Sequence, residues 1–179
     1  VLNGAHYITE SVESILRQTY SNFELLVVDN GSTDDTLELI AKFKESRIRL
    51  LQEHKKGVFF ALNKGISHSH GDFFARMDSD DIATPDRLQL QYDAHVSTSA
   101  DVIGAAVSPF RTDEEIGNGF ARYCAWLNGI TEHTEITQNI FIEDPIPSPT
   151  LFMPMNIIRK VGGYDVNVYP DDYNLTLKN

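Results

Sequence analysis

Three carboxylates stand within four residues at Asp78, Ser79, Asp80 and Asp81, directly behind the largely apolar run Phe73-Phe74-Ala75-Arg76-Met77. If that run is a strand of an open α/β sheet, the acids fall where such sheets bind ligands, outside the carboxyl ends of the strands. Like charges held so close repel, and a divalent cation relieves the repulsion. An all-oxygen donor set suits Mg²⁺ or Mn²⁺, which keep waters and share their remaining positions with substrate phosphates. The competing reading is an exposed acidic turn ahead of a helix. An Asp-x-Asp triplet taken alone favours it, because Asp serves turns so readily, but the position behind a strand reverses that preference. A second set, Asp29-Asn30-Gly31-Ser32, ends another apolar run and meets the same edge. An acid or amide there can bond a base or ribose while glycine permits the turn, although as a helix-cap signal the set is ordinary.

These side chains need elements to hold them. Ile8, Val12, Ile15 and Leu16 recur at helical spacing and predict an amphipathic helix over residues 6–18. Residues 23–28 are almost unbroken in their apolar character, as in a strand covered on both faces, and end at Asp29. Leu37, Ile40 and Ala41 mark a second helix, residues 48–51 a strand, residues 60–67 a third helix, and residues 72–77 the strand before Asp78. Thr84-Pro85-Asp86-Arg87 reads as a helix start, with a capping hydroxyl and proline at the first helical position. Residues 102–107 supply another strand. Alternation of this kind implies an α/β fold, a three-layer α/β/α arrangement around a mostly parallel central sheet.

The first helix has no strand before it, and Val1-Leu2-Asn3-Gly4 reads as the exit from one. A single domain over 1–179, truncated at both ends, is therefore expected, with a nucleotide-binding half at about 1–107. From Ser108 the character changes: helices are expected over 120–127 and 135–141, then the proline-rich stretch Pro145-Ile146-Pro147-Ser148-Pro149. This acceptor-side half, about 108–179, reads as an insertion bordering a cleft.

A chain of 179 residues with 41% hydrophobic content can bury about two-thirds of its unfolded surface without staples. The net charge of -11, from 15 basic and 26 acidic residues, argues against a nucleic-acid partner and against attraction to anionic lipid. No apolar run approaches the roughly 18 residues a transmembrane helix needs, and the amino terminus lacks a signal pattern. The single cysteine, Cys124, excludes an internal disulfide and fits a reducing compartment. Cytoplasmic location is expected, with peripheral attachment to the inner face of the membrane compatible with it. His68 and His70 lack further ligands at zinc spacing. Tyr123, Trp126 and Leu127 could form a sugar platform, but their spacing more often marks a helix's core face.

Taken together the motifs resemble family 2 glycosyltransferases of the GT-A fold. Asn3-Gly4, Ser14-Ile15-Leu16-Arg17-Gln18-Thr19-Tyr20, Val27-Val28-Asp29-Asn30-Gly31-Ser32-Thr33-Asp34, Asn63-Lys64-Gly65, Met77-Asp78-Ser79-Asp80-Asp81 and Pro85-Asp86-Arg87-Leu88 follow in the family's order and spacing. Pro149-Thr150, Val161-Gly162-Gly163-Tyr164-Asp165 and Pro170-Asp171-Asp172-Tyr173 continue it. The resemblance implies a transferase that moves a sugar from a nucleotide-diphosphate sugar, of UDP or dTDP type, to a saccharide or lipid-linked saccharide acceptor. It implies inversion, a Mn²⁺ or Mg²⁺ cofactor, and a role in surface polysaccharide or glycoconjugate synthesis. Asp80 matches the direct metal ligand, with Asp78 beside the metal or ribose. Leu2, Asn3, Asp29, Asn30, Asp78 and Ser79 fall at nucleotide-sugar contacts, and Asp172 stands at the general base. Without the resemblance, Asp172 reads as a helix-capping acid.

The chain departs from the pattern at four places. Leu2 stands where relatives carry a base-stacking tyrosine, Asn30 where a second acid is usual, Leu62 where an arginine is common, and Ser148 where a histidine is common. Two other classes share the architecture: a metal-dependent nucleotidyltransferase, and an idle nucleotide-sugar-binding module of the same fold. Gly4-Ala5-His6 does not supply the former's basic phosphate loop, and no G-x-G-x-x-G turn supports a dinucleotide oxidoreductase.

Overall fold

In the computed structural model, which describes residues 1–110 and 117–166, the expected alternation is present. The elements are α1 (Ile8–Leu16), β1 (Leu25–Asp29), α2 (Thr36–Ala41), β2 (Ile48–Gln52), α3 (Val58–His68), β3 (Phe73–Ala75) and α4 (Arg87–Thr98). They continue with α5 (Asn118–Asn128), α6 (His133–Asn139), a 3₁₀ turn (Ser148–Thr150), β4 (Phe152–Pro154) and α7 (Met155–Val161). β1 and β2 pair in parallel from Leu25↔Ile48 to Asp29↔Gln52.

Successive residues of β1 serve opposite faces, which is why its sequence is apolar throughout. Val27 packs with Ile8, Val12 and Ile40 from α1 and α2. Val28 turns the other way, toward α3, where a Cβ on Gly65 would lie 3.5 Å from its Cγ2. Helices on both faces of the sheet give the three layers. A second core gathers Ile66, Ile146, Leu151, Met153, Met155, Ile158 and Tyr164. It joins α3 to the segments after residue 145.

Three features differ from the sequence expectation. The strand expected over 102–107 is a single bridge, Ile103↔Phe152. β3 pairs instead with β4, antiparallel, from Phe73↔Pro154 to Ala75↔Phe152. β4 is three residues long with proline at its end, too short for a periodic signal; burial of Phe152 and Met153 rather than alternation makes it. Finally, α4 begins at Arg87 behind Asp86, with no side-chain cap of its own. Gln18 supplies the cap from a distance: its Oε1 accepts the Leu88 N–H at 2.9 Å and its Nε2 donates to Thr84 O at 2.6 Å.

A cavity of about 1010 Å³ runs between β1 and β3, lined by Leu26, Val28, Phe74 and Met77 among others, and opens at Leu2, Asn30, Asp78, Ser79 and Asp80. The backbone at Val1 lies along the edge of β1 that faces it. Its nitrogen donates to Val28 O at 2.8 Å, and its carbonyl accepts the Asn30 N–H at 2.9 Å.

Candidate nucleotide-sugar site

The carboxyl end of β1 is shaped by turn chemistry. Asp29 is 2% exposed and accepts the Gly31 N–H at 3.2 Å and the Ser32 N–H at 3.2 Å. The turn requires φ of +91° at Gly31, which glycine adopts without strain. Asn3, itself left-handed at φ 51°, closes the same loop: its Oδ1 accepts the Thr33 N–H at 2.8 Å, and its N–H donates to Ser32 Oγ at 2.9 Å. Gly4 borders Ser79: a Cβ there would stand 3.6 Å from the serine Oγ, at ordinary van der Waals distance, so the first motif neighbours the acidic one.

Asn30, expected at a base contact, also ties down a neighbouring loop. Its Nδ2 donates to Glu53 O at 2.9 Å and to Lys55 O at 2.7 Å, while its Oδ1 accepts the Gly57 N–H at 2.8 Å. Both amide hydrogens are committed, so this side chain shapes the 53–57 loop.

At the end of β3 lie Asp78, Ser79, Asp80 and Asp81. Ser11 of α1 holds the segment through Asp78 O at 3.4 Å, and Ser14 Oγ accepts the Ala83 N–H at 3.1 Å. Two buried arginines stand behind it. Arg76 donates to Asp78, and Arg87 donates to Arg76 O at 2.6 Å and Pro149 O at 3.1 Å. Burial pushes the Asp81 carboxyl up to about 6, and the negative charge of Asp78 and Asp80 adds to this against the opposing pull of Arg87 and Arg76. Burial also brings Arg87 down to about 10.

The ends of β1 and β3 bring Asn30, Asp78, Ser79 and Asp80 to one mouth, with Leu2 56% exposed beside them, while Asn3 and Asp29 order the adjoining loop.

The donor chemistry fits a hard divalent cation. Among the described residues no three His, Cys, Asp or Glu side chains form a closed metal cage. Asp78 and Asp80 offer an open pair, the kind of set that Mg²⁺ or Mn²⁺ completes with water and phosphate oxygens. Asp172 lies outside the described residues.

Several contributors carry no sequence signal of their own. Gln18 and Ser14 read as a helix's polar face, yet are 5% and 3% exposed. Arg76 reads as a strand residue. Asn63 is a clamp: it donates to Tyr164 O at 2.8 Å and accepts the Tyr164 N–H at 2.9 Å, beside Gly163, whose φ is +71°. On α5, Cys124 and Leu127 are buried as a core face requires, whereas Tyr123 is 39% exposed and its ring stacks on Trp126 at 5.9 Å.

An α/β fold of the GT-A type with acidic residues at the ends of β1 and β3 defines the class: a glycosyltransferase scaffold. The sequence profile of glycosyl transferase family 2 matches residues 1–161, and the chain belongs to that family. It is 32% identical over 167 residues to an uncharacterized glycosyltransferase of Haemophilus influenzae, covering 88% of this chain and 50% of that protein. It is 43% identical over 90 residues to WfgD of Escherichia coli, a UDP-Glc:alpha-D-GlcNAc-diphosphoundecaprenol beta-1,3-glucosyltransferase, covering 50% of this chain and 36% of WfgD. The fold matches the mannosyltransferase PcManGT of Pyrobaculum calidifontis, solved with GDP-Man and Mn²⁺, at TM-score 0.73 and 19% identity, over 99% of this chain and 49% of the other. The chain thus spans half or less of each of these proteins. No described helix is long and apolar enough to cross a membrane.

Proposed function

We propose that this chain carries the catalytic core of an inverting, metal-dependent transferase that moves a sugar from a nucleotide-diphosphate sugar to an acceptor hydroxyl. The gathering of Asn30, Asp78, Ser79 and Asp80 at one mouth between the ends of β1 and β3 carries this reading. Asn3 and Asp29 order the loop that receives the nucleoside, and Asp78 and Asp80 present oxygens toward the diphosphate. A bound Mn²⁺ or Mg²⁺ would neutralise charge on the departing diphosphate. Asp172, through the family resemblance, takes the acceptor hydroxyl's proton as that oxygen bonds the anomeric carbon and the carbon–diphosphate bond breaks on the opposite face.

UDP- and dTDP-sugars are the donors we favour. WfgD's name carries UDP-Glc, whereas PcManGT holds GDP-Man, so base identity is a question for the assay. A lipid-linked saccharide acceptor is read from the same WfgD name, while action in the cytoplasm or against the inner membrane face in surface polysaccharide synthesis is carried over from the family resemblance. Calorimetry with UDP-, dTDP- and GDP-sugars, with and without Mn²⁺, tests the donor half. Metal-dependent binding supports it; binding of none of them in either condition defeats it. Nucleotide release on adding acceptor separates a transferase from an idle binding module.

The slot between β1 and β3 is read as the seat of a further strand that would join the β1–β2 and β3–β4 pairs into one sheet, since both flanking strands line it with apolar side chains. Amide exchange in the full-length protein checks this. Slow, core-like exchange along β1 and β3 is expected, and exchange at the rate of free edges would sink it.

A further inference from the structure

We propose that Arg76 is a positioning residue for sugar transfer. It fixes the Asp78 carboxylate at the donor end and ties it to Ser148 on the turn that leads into β4. The proposal rests on the donor reading above.

Arg76 directly follows β3 and is 7% exposed. Its backbone is held on both sides: the N–H donates to Leu151 O at 2.8 Å, and the carbonyl accepts from Arg87 Nη2 at 2.6 Å. From that fixed base the guanidinium divides its donors. Nε and Nη2 donate to Asp78 Oδ1 at 3.3 and 3.2 Å, while Nη1 donates to Ser148 Oγ. The Tyr164 ring lies 5.9 Å from its centre and completes the enclosure.

The asymmetry of the pair decides which partner positions the other. Asp78's side chain is 39% exposed and Arg76's is 7%. An exposed carboxylate alone would sample its rotamers in water; here a rigid, permanently charged fork reaches it from inside. Because the same fork holds Ser148, the acidic loop at the sheet edge and the turn at 148–150 move as one piece. Arg87 reinforces the joint by donating to carbonyls on both sides of it, Arg76 O and Pro149 O. A lysine would keep the charge but could not hold both partners in fixed directions.

The test uses the full-length protein and calorimetric binding of the tightest of UDP, dTDP and GDP, with and without Mn²⁺, alongside thermal unfolding. Arg76→Lys is expected to weaken Mn²⁺-dependent binding about 10-fold, the equivalent of about 1.4 kcal/mol, and to leave Mn²⁺-free binding unchanged. Ser148→Ala is expected to weaken it by about threefold in the wild-type background and to add nothing in the Arg76→Lys background, because Ser148 acts through Arg76. Should Arg76→Lys fail to fold, a Ser148→Ala and Asp78→Asn cycle carries the same test, again with a non-additive result expected. Variants that bind the nucleotide with Mn²⁺ as the wild type does overturn the proposal, as does a Ser148→Ala loss of equal size in both backgrounds. A wild type that binds no nucleotide in either condition removes the donor reading and this proposal with it.

Discussion

Asn30 Oδ1 accepts the Gly57 N–H at 2.8 Å, across a gap of 27 residues. With its two Nδ2 bonds to Glu53 O and Lys55 O, this contact makes the loop after β2 depend on one amide. The family resemblance implies an acid at this place, which has no hydrogens to give.

Asn30→Asp should therefore damage the site although it restores the family's commoner residue. Two carbonyls would face a carboxylate, at a cost of about 1–3 kcal/mol. The expected outcome is a lower melting temperature together with about 10-fold weaker nucleotide binding by calorimetry. A variant that binds more tightly would show that Asn30 reads the base directly.

Asp80→Asn and Asp172→Asn should fail in different ways. The first should abolish the Mn²⁺-dependent part of nucleotide binding. The second should leave binding intact and lower transfer by about 10² to 10⁴, the range for losing a general base. Single-turnover assays with donor in excess distinguish the two, and full transfer by Asp172→Asn would move the base elsewhere.

Glu24 links the start of the parallel pair to the region after α3, bonding Arg49 Nη1 at 2.5 Å and the His70 backbone N–H. Burial works to raise its carboxyl, but the His70 N–H and Arg49 outweigh that and hold it below its usual 4.5. A depressed carboxyl contributes stability that is present above its unfolded value and lost as pH falls through the folded one. Melting should thus decline below about pH 4.5, with Glu24→Gln showing a shallower decline and a lower melting temperature at neutral pH. Identical acid profiles would remove Glu24 from the account.

Gln18→Ala should cost about 1–3 kcal/mol, because it leaves the Leu88 N–H and Thr84 O of a buried joint without their partner. Thermal unfolding should fall by a few degrees, with protection lost first at the start of α4 by amide exchange. Loss spread evenly over the molecule would contradict a local cap.

How much of this was legible in the sequence follows from the range of each interaction. The alternation of helices and strands, the apolar β1, and the acids behind β1 and β3 are local patterns, and local periodicity and turn preference are enough to read them. β4 has no sequence signal because three residues ending in proline carry no period, and the apolar run 102–107 does not reveal whether a partner strand is present. Thr84 is the nearest hydroxyl to the start of α4, whereas the fold brings Gln18 to cap it from 70 residues away.

The α/β class, the two acidic strand ends and, through the motifs, the family can be read from residue types and spacing alone. What those residues touch depends on how the chain packs. Asn30 spends its amide on a loop, Asn63 clamps Tyr164 across 101 residues, and Arg76 joins Asp78 to Ser148 across 72. Side-chain type sets which bonds a residue can make, but the partner is chosen by whichever distant backbone the packed core carries within about 3 Å of it.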